Sequence, residues 1–254
     1  MSAMLEAAQL RIAVPGRTLV DSLDCTVRAG EFIALLGGNG AGKSLLLRTL
    51  AGLRAPDAGL VRMDGRDIRA IARREIAARL GFLPQDPDAA PQGSLRESAL
   101  LGRFAHLGFW EAAGPDDAQR VARALNDVGL ASFAERELGT LSGGEQRRAA
   151  IARLLVQAPS IYLLDEPTNH LDPAQQISIL DSLRRLTRDG AAVIASLHEP
   201  NLALRYADRA CLLAGNGGSE LVDCAALDTA HLDRLYGIRY VEGRLGQQRF
   251  MAPG

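Results

Sequence analysis

Apolar residues in the first part of the chain fall in short runs at residues 9–14, 18–27 and 31–36, which predict three strands. The third run ends in a glycine-rich turn, and residues 43–53 then read as a helix. A strand at 60–64, a basic helix and a strand at 80–84 follow. From residue 86 the pattern changes. A loop rich in proline and glycine, DPDAAPQG, leads into segments with few β-branched residues, which predicts a helical insertion over 86–158. Leu95 and Arg96, at the start of that insertion, are expected to line a groove on its surface. Beyond it, 160–165 is an apolar strand and 173–188 a helix with Ile177, Leu180, Leu183 and Leu186 on one face. A further apolar strand at 191–197 precedes a tail of two short strands, a helix and a terminal hairpin over 210–250. Fully apolar strands alternating with helices imply a mostly parallel sheet covered on both faces, in an α/β protein.

Composition adds exclusions. The 254 residues are 47% hydrophobic and 23% charged, which excludes disorder and coiled coil as overall descriptions. Lys plus Arg is 29 and Asp plus Glu is 30, so no general affinity for nucleic acid or anionic lipid is expected. Cys25, Cys211 and Cys224 lie far apart with no CxxC pair, which points to reduced thiols rather than a zinc site or disulfides. No run approaches the ~20 apolar residues that span a bilayer, and MSAMLEAAQL lacks the basic-then-apolar order of a signal peptide. Any service to a membrane is therefore expected to pass through a partner chain. Lys43 is the sole lysine among the 29 basic residues.

That lysine sits in the first chemical motif. The strand at 31–36 runs into Gly37-Gly38-Asn39-Gly40-Ala41-Gly42-Lys43-Ser44, a GxxxxGK[ST] loop between a strand and a helix. Glycines let the backbone curl so that its N–H groups face phosphate oxygens, and the helix adds its positive N-terminal end. Lys43 can reach the β- and γ-phosphates of a nucleotide, and the Ser44 hydroxyl can ligate Mg²⁺. A second motif, Ile161-Tyr162-Leu163-Leu164-Asp165-Glu166, brings two carboxylates out of a buried strand at its C-terminal end. Asp165 is placed to hold the metal and Glu166 to polarise an attacking water. A third, Leu141-Ser142-Gly143-Gly144-Glu145-Gln146, opens a helix with Ser142 as its N-cap and offers another anion site. Two phosphate cradles for one nucleotide suggest that the second grips a nucleotide held by another copy.

Together these segments resemble the ABC-type ATPases over essentially the full length. Residues 37–44 are similar to the Walker A loop, 141–145 to the family signature and 161–166 to Walker B. Gln85 in LPQD resembles the Q-loop glutamine, Leu171-Asp172 in NHLD the D-loop, and His198 in SLHEP the switch histidine. The resemblance implies a P-loop NTPase (RecA-like) core at 1–85 and 159–254, an N-terminal antiparallel β-subdomain, and the inserted helical subdomain at 86–158. It implies ATP and Mg²⁺ as ligands. Glu166, His198, Gln85 and Lys43 would do the chemistry, and Ser44, Gln85 and Asp165 would hold the metal. Residues 37–45, ending at Leu45, would bind nucleotide together with Ser142, Gly143, Gly144 and Asp172. Val14 or Pro15 stands where the family usually stacks an aromatic ring on adenine, and Glu199-Pro200 replaces the usual Asp-Leu after the switch histidine. His106, His170 and His231 are assigned no catalytic role.

LLGRFAHLG, HLDPAQQ, LHEPNLALRYADR and the ending LYGIRYVEGRLGQQRF resemble, more narrowly, the type II importers of cobalamin, haem and iron–siderophore. This implies a homodimer closing head to tail on ATP, a separate membrane permease, an indirect link to a substrate-binding protein, no nucleic acid, and a place on the cytoplasmic face of a bacterial inner membrane. Iron chelate, haem and cobalamin stay open as cargo. So do two other readings: a soluble ABC ATPase of cluster assembly or repair, and the ATPase of an exporter.

Overall fold

The computed structural model describes residues 3–85, 93–107, 111, 113–246 and 248–254. The chain opens with two long antiparallel strands, β1 (Ala3–Val14) and β2 (Arg17–Arg28), and then β3 (Phe32–Leu36), α1 (Lys43–Leu50), β4 (Ala58–Met63) and the short β5 (Arg66–Asp67). The helix α2 (Arg73–Arg79) leads directly into β6 (Leu80–Leu83). Three helices follow, α3 (Leu95–Leu100), α4 (Pro115–Asp127) and α5 (Gly143–Gln157). The core resumes with β7 (Ile161–Leu164), α6 (Pro173–Arg188), β8 (Ala192–Ser196), α7 (Pro200–Tyr206) and β9 (Arg209–Leu213). It closes with β10 (Ser219–Asp223), α8 (Thr229–Tyr236) and the hairpin β11 (Tyr240–Leu245) and β12 (Gln248–Pro253).

The central sheet has the order β10-β9-β3-β8-β7-β6 and is parallel except at the β10 edge. Alternation along its strands splits the core into two layers. Phe32, Ala34, Leu36, Tyr162 and Leu164 pack toward α3–α7, whereas Ile33, Leu35, Ile161 and Leu163 pack toward α1 and the N-terminal strands. Both faces are buried, which is why these strands read as unbroken apolar runs.

A second, antiparallel sheet has the order β2-β1-β4-β5. β1 begins six residues before the strand expected at 9–14, because its inward positions change parity. Leu5 and Ala7 are buried, then Leu10 and Ile12. The switch occurs at Gln9, which has φ +49 opposite a register shift, and Ser22 in β2 makes a matching bulge at φ +55. A bulge inserts one residue and re-aims the rest of the strand, so a simple two-residue period loses the first half.

In α6 the buried face is Ile179, Leu180, Leu183 and Thr187, while Ile177 and Leu186 are only half-buried. The insertion corrects one expectation. Leu95 is fully buried and packs in the same core as α4 and α5, so it lines no surface groove. Arg96 does face outward and pairs with Glu135 at 2.6 Å. Residues 86–92 of the expected loop lie outside the described residues. Leu95→Ala should therefore cost about 2–5 kcal/mol, the range for emptying a leucine site in a packed core. Arg96→Ala should leave the unfolding midpoint within error, because its ion pair is exposed. Urea unfolding of the two variants checks the contrast.

Candidate nucleotide site

Because β6, β7, β8 and β3 are parallel neighbours, their C-terminal ends open on one edge of the sheet. Four chain segments emerge there: 37–44 after β3, Gln85 after β6, Asp165-Glu166 after β7 and His198 after β8. They border a cleft of about 580 Å³ that includes Asn39–Leu45, Gln85, Glu166 and His198 in its lining.

The loop 37–44 needs its glycines. Gly37 has φ +155, and a Cβ there would lie 2.4 Å from the Leu213 carbonyl oxygen. Gly42 caps α1 at φ +104 against Leu19. The following helix begins at Lys43 with no side-chain cap, so its first N–H groups remain available to an anion. The Lys43 ammonium is buried and donates to the carbonyls of Gly37 at 2.7 Å and Gly38 at 3.2 Å. Burial pulls its pKa below the ordinary lysine value, and the charges of Glu166 and Asp165 pull it back up.

Glu166 is the hub. Its carboxylate accepts from Gln85 Nε2 and Asn169 Nδ2, each at 3.1 Å, and lies 2.8 Å from His198 Nε2. Its backbone sits at φ +50, in the left-handed region, a strained state for glutamate of ~1–3 kcal/mol. The Glu166 N–H donates to Ser196 Oγ at 2.7 Å, and the Ser196 hydroxyl donates to Asp165 Oδ1 at 2.8 Å. Asp165 is buried at 1% exposure, and its other oxygen, Oδ2, has no hydrogen-bond partner.

The structure thus brings Lys43, Ser44, Leu45, Gln85, Glu166 and His198 together at one cleft, with Asp165 just behind. It does not bring Ser142, Gly143 and Asp172 there. Ser142 and Gly143 are exposed at the start of α5, where Ser142 Oγ and Glu145 form a capping box. Gly144 lies against the His170 carbonyl, and Asp172 caps α6 by accepting from Gln175 N at 2.9 Å.

Several further side chains, assigned no role from the sequence, hold the site. Ser196 and Asn169 hold Glu166, and Arg17 lines the cleft with its Nε bonded to the Gly215 carbonyl at 2.7 Å. Arg147 of α5 reaches the strand ends from the helical side. Its helix face was a usable signal: 147, 151 and 154 share a stripe, and Ile151 and Leu154 are core. The remaining histidines lie elsewhere; His106 bonds the Gln157 carbonyl at 2.8 Å and His231 pairs with Asp228 at the start of α8.

A phosphate loop, a buried carboxylate pair and a ring of polar groups at the C-terminal edge of a parallel sheet define a P-loop nucleotide hydrolase. The family profile described as "ABC transporter" matches residues 20–169, and the chain belongs to that family as an ABC ATPase. It is 44% identical over 223 residues to the hemin import ATP-binding protein HmuV of Rhodopseudomonas palustris (strain ATCC BAA-98 / CGA009), covering 85% of this chain and 81% of that protein. It is 37% identical over 241 residues to the ferric enterobactin transport ATP-binding protein FepC of Escherichia coli (strain K12), covering 93% and 88%. Among solved structures, an inward-facing metal-chelate type ABC transporter superposes with a TM-score of 0.84 at 26% identity, covering 100% of this chain and 98% of that one.

No Phe, Tyr or Trp lines the cleft among the described residues; Val14, Arg17 and Leu19 do. A lost stacking contact is worth ~0.5–1.5 kcal/mol, so GTP should compete with ATP within about one order of magnitude. Competition binding checks this; a preference of several hundredfold for ATP would mean that a ring is supplied from elsewhere.

Proposed function

We propose that this chain is the ATP-binding and ATP-hydrolysing subunit of an ABC importer that powers uptake of a metal chelate, a haem or an iron–siderophore, through a separate permease. The observation that carries the catalytic part is Glu166, a buried carboxylate held by Gln85, Asn169 and His198 at the mouth of a phosphate loop. The import direction and cargo class rest on relatives named for hemin and ferric enterobactin, which favour this reading over a soluble ATPase or an exporter.

Backbone N–H groups of residues 37–44 and the Lys43 ammonium bind the phosphates. Lys43 must then exchange the Gly37 and Gly38 carbonyls for phosphate oxygens, a short swing of a buried cation toward a better anion. Ser44, Asp165 and Gln85 suit Mg²⁺. The unpartnered Asp165 Oδ2 and the Ser44 hydroxyl are hard oxygen donors, and magnesium commonly takes one or two protein ligands and draws the rest from water and phosphate. Bound there, the ion would neutralise charge on the phosphates. Glu166 orients water toward the γ-phosphate, while Gln85 and His198 hold its carboxylate and register the phosphate. Ser142, Gly143, Gly144 and Asp172 lie outside the lining of their own cleft and would complete the site of a second copy in a head-to-tail homodimer.

The helical insertion, residues 86–158, receives the permease. α3 and the turn after it expose an apolar groove of about 450 Å³ bordered by Leu100, Leu101, Phe104 and Leu107, with Phe104 81% exposed. An exposed patch of this kind on a subunit of a transport family calls for a protein partner. The assembly would sit on the cytoplasmic face of a bacterial inner membrane, with a substrate-binding protein acting on the far side.

Two variants test the chemistry. Lys43→Ala should abolish hydrolysis while the domain stays folded. Glu166→Gln should keep ATP binding, lose turnover and accumulate as an ATP-bound dimer in size-exclusion chromatography. Hydrolysis near the wild-type rate in either would refute the site assignment. Phe104→Asp tests the docking face: basal hydrolysis by the isolated subunit should persist and co-purification with the permease should fail. Retention of both would place the permease elsewhere.

A further inference from the structure

A single guanidinium binds the two chain segments that carry Gln85 and Glu166. Arg147 lies on the first turns of α5 and is 4% exposed. Its Nη1 donates to the carbonyls of Pro84 at 2.5 Å and Gln85 at 3.0 Å. Its Nη2 donates to the carbonyl of Asp165 and to that of Glu166 at 2.8 Å. All four acceptors are backbone carbonyls, and they belong to two neighbouring strand ends. Guanidinium is suited to this task, because its planar fork presents several fixed donors and stays charged when buried.

The Glu166 carbonyl is a telling acceptor. Glu166 occupies a left-handed conformation at φ +50, which persists only where the surroundings over-determine it. Its N–H is held by Ser196 and its C=O by Arg147, so the peptide on each side of the strained Cα is fixed. Those two bonds set the Cα–Cβ direction from which the side chain extends, and Gln85, Asn169 and His198 then hold the carboxylate. The same guanidinium holds the Gln85 carbonyl, and the Gln85 side-chain amide donates to the Glu166 carboxylate.

We propose that Arg147 is a positioning residue for hydrolysis. From α5, the helix that presents Ser142, it holds the strained backbone of Glu166 and the start of the Gln85 loop in the arrangement that places the carboxylate. This rests on the reading of Glu166 given above. Arg147 is not among the residues that line the cleft, so its loss should slow turnover and spare binding.

The test compares Arg147→Gln and Arg147→Lys with wild type and with Glu166→Gln, using MgATP and the full-length chain. Arg147→Gln should bind MgATP with a Kd within about twofold of wild type and show kcat lowered at least tenfold. Arg147→Lys keeps the charge but cannot span four carbonyls, and should recover part of that kcat. If Arg147→Gln does not fold, Arg147→Lys alone carries the test, with kcat reduced at least threefold at unchanged Kd. The proposal is overturned if a folded variant keeps kcat within twofold of wild type, or if Kd weakens in step with kcat. It is equally overturned if neither variant folds, since Arg147 would then be a structural element. Glu166→Gln separates the two readings. If it hydrolyses normally, the role of Glu166 is lost. If it is inert while the Arg147 variants turn over normally, only the role of Arg147 is lost.

Discussion

The whole site answers one electrostatic constraint: two adjacent carboxylates, Asp165 and Glu166, leave a fully buried strand and are themselves nearly buried. Unpaired charge in such surroundings is costly, so each oxygen must find a donor, a cation or a metal. The groups that supply these are the ones a phosphate-handling site needs. Ser196 and the Arg147 guanidinium satisfy the backbone and the inner oxygen, Gln85, Asn169 and His198 take the outer carboxylate, and Lys43 brings the nearby positive charge. Asp165 Oδ2 is left over, buried and without a hydrogen-bond partner. The parallel sheet makes the gathering possible, because segments far apart in sequence end side by side on one edge.

How far this could be read from sequence depends on the range of the interaction. Lys43 and Gly37–Gly42 are local: the loop's shape is dictated by its own glycines and the helix that follows, so eight consecutive residues disclose the phosphate cradle. Asp165 and Glu166 are equally plain, since an apolar run that ends in two acids has one place to put them. Ser196 and Arg147 are different. Their roles are fixed by partners 31 and 18 residues away, and nothing beside them in sequence names those partners. Arg147 also hides in Gln146-Arg147-Arg148, where a charged pair reads as a solvated helix face, although only Arg147 falls on the buried stripe. Leu95 misled for the converse reason. Its neighbours are polar, and the helices that bury it, α4 and α5, arrive later in the chain. The lost start of β1 shows the same limit at shorter range, because the bulge at Gln9 changes which alternate positions face inward.

The geometry also separates tasks that one helix might have combined. α5 carries an exposed Ser142–Gly143 end and a buried Arg147 only a turn further on. On the proposed reading the exposed end grips the nucleotide of a second copy, while the buried arginine holds the carboxylate of its own. A rigid helix cannot report one event without moving the other, since a turn of helix advances only ~5.4 Å and its backbone bonds resist stretching. The strain held at Glu166 fits this arrangement. A residue resting in a relaxed conformation would keep its carboxylate in place wherever α5 stood; one held at φ +50 by bonds on either side keeps it only while both bonds are made. On the proposed reading, placement of the carboxylate thus becomes conditional on the position of the helix, which ties hydrolysis to the closed state of the proposed dimer.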